Sequence, residues 1–96
     1  MDVSQIFDLR CPVDALGAPL APEPGLEVAA TVFVPSRMPA NPRVLCCLPG
    51  GGLSRRYWDL MTGEGNELSF ARQMCARGFA VATFDLIGAG DSSRPA

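Results

Sequence analysis

The chain is 96 residues long, close to half hydrophobic and about a fifth charged, with a formal net charge of −2. That length confines it to one small domain, and the charge balance offers no clustered basic face for nucleic acid. With no His and no Lys, it cannot supply the imidazole or amine base that activates a Ser or Cys nucleophile, nor an imidazole metal ligand.

The start, Met1-Asp2-Val3-Ser4-Gln5, has neither a basic n-region nor a long apolar run, so neither a signal peptide nor a membrane span is expected. Residues 1–25 read as an irregular amino-terminal segment with room for a short strand over Ile6–Arg10. Pro12, Pro19, Pro22 and Pro24 exclude a regular helix there. From Leu26 to Val34 the β-branched, aromatic and small residues predict a strand that Pro35 ends. Ser36–Pro42 is a loop. The run Val44-Leu45-Cys46-Cys47-Leu48 is unbroken and apolar, the pattern of a strand in a sheet covered on both faces, which usually means parallel pairing. Pro49-Gly50-Gly51-Gly52 then stops it.

Leu53–Gly65 is mixed, with Tyr57, Trp58 and Leu60 as apolar anchors. Asn66 is the expected N-cap of a helix reaching about Arg77, with Phe70, Ala71, Met74 and Cys75 on one stripe. Gly78 suits the left-handed position that closes such a helix. Phe79–Phe84 is a further strand, so the order strand, turn, helix, strand makes a βαβ unit. The cysteines, at 11, 46, 47 and 75, contain no C-x-x-C spacing. Neighbours on a strand face opposite ways, so Cys46 and Cys47 cannot share a metal. Buried free thiols in a reducing cytoplasm are expected, with no metal and no cofactor.

Two glycine-rich loops carry the chemistry. Gly50, Gly51 and Gly52 follow one strand, and three glycines in succession allow main-chain N–H groups to face a ligand with no side chain in the way. Aimed together, such groups stabilise an anionic oxygen. The second loop, Asp85-Leu86-Ile87-Gly88-Ala89-Gly90-Asp91-Ser92-Ser93, follows the next strand, so both lie at the sheet edge where ligands bind in open α/β folds. Gly88-Ala89-Gly90 also reads as a dinucleotide fingerprint lacking its third Gly and displaced by Asp85-Leu86-Ile87, which keeps a nucleotide-binding βαβ module as an alternative.

Taken in order, Pro49-Gly50-Gly51-Gly52, then Trp58, then Asp85, Gly88, Gly90 and Ser92 resemble the α/β-hydrolase superfamily, in its dehalogenase-like and esterase-like branch, over about residues 26–96. The resemblance implies an α/β fold in which residues 26–96 form the first part of the hydrolase core, with about four strands, one crossover helix and an incomplete sheet. It makes the Gly51 N–H the leading candidate for an oxyanion-hole donor and Gly52 the second. Pro49 stands where the family often has His, and has no N–H to donate. Trp58 is placed at the pocket mouth or packed beneath the turn. Gly50, Asp85, Gly88, Gly90 and Ser92 are implied to shape the loops.

No Gly-x-Ser-x-Gly elbow occurs in the sequence. The nucleophile, acid and His are therefore expected from downstream sequence of a longer cytoplasmic parent that hydrolyses an ester or related bond in a small-molecule substrate. The 96-residue chain alone is expected to be inactive. In the family the third strand lies between the fourth and fifth, so Val44–Leu48 is expected to be a bare sheet edge through which the isolated chain self-associates. A non-catalytic protein that pairs this strand with a partner is the third reading.

Overall fold

The computed structural model describes residues 2–13, 25–60 and 68–94. Within them lie strands β1 (Val3–Pro12), β2 (Glu27–Pro35), β3 (Val44–Cys47) and β4 (Ala80–Phe84), a 3-10 turn (Arg55–Asp59) and one helix, α1 (Phe70–Ala76). The strands form one mixed sheet in the order β1-β2-β4-β3. β1 and β4 flank β2 in antiparallel fashion, while β3 runs parallel to β4, as the helical connection between them requires. The fold class is α/β.

β1 is longer than the short strand expected, and Cys11 and Pro12 belong to it rather than to an irregular segment. Ile6, Phe7 and Leu9 are all more than a third exposed, so burial does not announce the strand. Backbone pairing with β2 extends it, through to Pro12 opposite Glu27. An edge strand tolerates that proline because one side of its ladder has no partner to lose.

Helix α1 begins later than expected. Its N-cap is Ser69, whose Oγ accepts from the Arg72 N–H at 3.1 Å; Asn66 lies outside the described residues. Ser69 is fully buried, and its hydroxyl also donates to Asp59 Oδ1, which ties the cap to the 3-10 turn. The helix closes at Gly78, at φ +89°. There Gly78 N–H donates to Cys75 C=O at 2.9 Å and Phe79 N–H to Met74 C=O at 3.1 Å, the paired bonds of a Schellman motif.

α1 covers one sheet face. Register places Phe33, Val81 and Leu45 side by side across β2, β4 and β3. Phe33, Cys47 and Val81 pack with Ala71 and Cys75 of the helix, flanked by Val3, Leu45, Trp58 and Met74. The opposite face carries Phe7, Val32, Ala82 and Cys46 in one row and Leu9, Ala30 and Phe84 in the next. No described helix packs on it. The expected cover on both faces of β3 is therefore absent among the described residues, and Val44 and Leu48 stand 59% and 61% exposed. The physical cause is position: β3 is an edge strand with β4 as its neighbour and α1 on one side only.

All four cysteines are free. Cys47 and Cys75 are buried as expected, Cys11 is half-buried, and Cys46 is exposed because it points to the uncovered face. No helix among the described residues is long and apolar enough to cross a membrane.

Candidate functional site

β3 delivers the chain through Leu48 and a buried Pro49 into the glycine turn. Leu53 N–H donates to Gly50 C=O at 3.1 Å, and Gly52, at φ +79°, holds the third position as in a type II turn. Of the three successive glycines this one alone adopts a left-handed angle. A Cβ at Gly51 would enter open space. Gly51 and Gly52 are exposed, and among the described residues neither N–H donates to a protein acceptor. The chain then enters the 3-10 turn, where Ser54 Oγ accepts from Arg56 N–H at 3.3 Å.

The second loop is organised around Asp85, which is fully buried. Its Oδ1 accepts from the Arg55 N–H at 2.6 Å, and its Oδ2 accepts from the Asp91 N–H at 2.8 Å and from Arg55 Nη1. Gly90, at φ +51°, lies so close over this carboxylate that a Cβ there would overlap it. Ser92 Oγ donates to the Asp85 C=O at 2.7 Å and accepts from the Ala29 N–H at 2.8 Å. Ser93 Oγ accepts from the Glu27 N–H at 2.8 Å, so the loop is stitched across the start of β2. Gly88, at φ +85°, donates its N–H to Ser93 C=O at 2.9 Å, and Arg94 donates to the carbonyls of Gly88 and Gly90.

Arg55 has no counterpart in the sequence reading. Its side chain is 9% exposed and is shared between Asp85 and Asp91, the latter at 3.0 Å from Nη1. Nε donates to Thr31 Oγ1 at 2.8 Å, and that hydroxyl donates to Asp8 Oδ1 at 2.6 Å. Burial on its own would lower the Arg55 pKa, but the hydrogen bonds it donates to Asp91 and Asp85, with their negative charges, raise it above the ordinary arginine value. For Asp85, burial pushes the carboxyl up, while the Asp91 and Arg55 N–H groups and the Arg55 guanidinium pull it below the ordinary value. Arg55 and Arg56 are chemically identical neighbours, one buried and one exposed, so no pattern in the sequence separates them.

Trp58 takes the packing place of the two expected for it. It sits against the core cluster, edge-on to Tyr57 with ring centroids 5.2 Å apart and tilted on Phe70 at 5.4 Å. Its Nε1 is buried without a partner among the described residues. Tyr57 and Leu60, expected as anchors, are each nearly half exposed. The hollow between the two glycine loops, about 560 Å³, is bounded by Gly52, Ser54, Gly88, Gly90 and Arg94. Gly52 and the second loop thus border one hollow, and Gly51 is not among the residues that bound it.

This arrangement can present main-chain donors to an anionic oxygen from the first loop. In the second loop the Asp85 and Asp91 carboxylates are both paired with Arg55, and Arg94 lies on the hollow's rim. No family model matches the chain, and no curated protein sequence matches it.

Proposed function

We propose that the chain forms the amino-terminal, oxyanion-binding part of an α/β-hydrolase that cleaves an ester or related bond, with the nucleophile, acid and His contributed by sequence outside these 96 residues. The single observation that carries this reading is the Gly50–Leu53 turn at the carboxyl end of β3, with Gly51 and Gly52 exposed and their N–H groups unclaimed among the described residues. Such donors stabilise the negative oxygen of a tetrahedral intermediate at little reorganisation cost. Supporting it, the order β1-β2-β4-β3 leaves β3 at the sheet edge, open to the further strand that the resemblance requires. The second loop occupies the equivalent end of the adjacent parallel strand. The absence of His limits this chain to oxyanion stabilisation and substrate positioning.

The test extends the reading frame. A Gly-x-Ser-x-Gly or Gly-x-Asp-x-Gly elbow is expected roughly 20–40 residues on, followed later by an acid and a His. The extended protein should turn over a nitrophenyl ester or a haloalkane, and should lose that activity when the elbow residue becomes Ala. An extended frame with no elbow would falsify the reading.

A further inference from the structure

The two glycine loops are covalently far apart, yet one residue joins them. Arg55 opens the 3-10 turn that follows Gly50–Ser54, and its guanidinium and main-chain N–H both reach Asp85 at the root of the second loop. Nη1 continues to Asp91 at that loop's far end, 3.0 Å away, whose own N–H returns to Asp85 at 2.8 Å. Nε is anchored on Thr31 of β2 at 2.8 Å, and the more distant Nη2 lies 3.8 Å from Asp8 of β1. The guanidinium thus ties the second loop to β2 and β1, the Arg55 backbone continues directly from the first loop, and the side chain has little exposed surface for water to compete.

We infer that Arg55 is a positioning residue, a clamp that holds the Gly50–Ser54 turn in one fixed arrangement relative to the Asp85–Ser93 loop and so fixes where the Gly51 and Gly52 donors point. A planar fork with several donors suits this task, since two acceptors from one loop and a third from the sheet define its plane as well as its place. Lys, a point charge on a flexible stem, could hold one of these acceptors and would leave the turn free to swivel. Neighbouring Arg56, 74% exposed at its side chain, reaches Asp91 only at 3.7 Å and does not bridge the loops. The catalytic consequence rests on the hydrolase reading above; the geometric clamp does not.

Amide hydrogen exchange by mass spectrometry, on the full chain at submicromolar concentration, tests the clamp apart from any activity. Wild type is compared with R55Q, D91A and R72Q, the last breaking the Arg72–Asp59 pair on the helix side. R55Q should accelerate exchange by about tenfold or more at the hydrogen-bonded Leu53 amide of the 48–54 peptide and in the 85–94 peptide together, with D91A giving a smaller rise in the same two places. R72Q should leave those peptides no faster than the rest of the chain. A rise in R55Q confined to one loop, or spread evenly over α1 and β4 as in R72Q, overturns the proposal. Should R55Q not fold, D91A decides: unchanged exchange in the 48–54 peptide also overturns it. A negative result here leaves the hydrolase reading standing, whereas a missing nucleophile downstream would leave the clamp intact.

Discussion

Asp85 is an ionised group with no contact to water. Removing a carboxylate from solvent costs several kcal/mol, a cost offset here by two main-chain N–H donors and a guanidinium. Because its folded pKa is depressed, the stability it contributes is complete above the unfolded value, about 3.9. That contribution is lost as pH falls through the folded value. Thermal unfolding followed by circular dichroism should therefore be insensitive to this group near neutrality and fall off below about pH 4. D85N should be destabilised by about 3 kcal/mol at pH 7, since Arg55 keeps its buried charge and loses the opposite one. It should also lack the part of the acid limb that belongs to Asp85. An acid limb identical in D85N and wild type would show that other carboxylates govern it.

Among the elements, α1 shows most clearly what one hydroxyl can decide. Asn66 and Ser69 are both good caps by type, and Ser69 is selected by Asp59, ten positions upstream. The same carboxylate holds Arg72 at 2.8 Å, so cap, first turn and 3-10 segment share one anchor. S69A should lower stability by about 1 kcal/mol, read as a fall of roughly 4–8 °C in melting temperature. The loss should shrink in a D59N background, where the anchor is already weakened. Strand β2, the Gly78 stop and β4 were legible because each follows from local chemistry: β-branched residues, a left-handed angle, a short apolar run. Arg55, the Ser69 cap and the full length of β1 were not. Each depends on a partner distant in sequence: Asp85, Asp59 and the β2 backbone. Strand order alone puts the two loops at one end of the sheet, whereas which glycine turns left-handed and which residue joins the loops depend on contacts distant in sequence.

At the scale of the whole molecule the two sheet edges differ. β1 carries Asp8 and Arg10 and breaks register between Val3 and Gln5, features that discourage pairing with another chain. β3 has no charge and no bulge, and its exposed Val44 and Cys46 lie on the face where no described helix packs. We propose that the isolated chain associates through this edge. Sedimentation at micromolar concentration should show species larger than a monomer, and V44K should shift the distribution toward monomer. A wild-type chain that sediments as a single monomer would refute the idea.

The strand order also imposes a sequence of events on a growing chain. β2 finds β1 already made, but β3 has no neighbour until β4 has been synthesised and inserted between it and β2. Pairing over such a separation is slow relative to local structure, and an unpaired apolar strand is exposed while it waits. The glycine turn is therefore among the last parts of the sheet edge to take shape. A ribosome-bound intermediate lacking β4 would hold the strand that bears the oxyanion turn and nothing to align it.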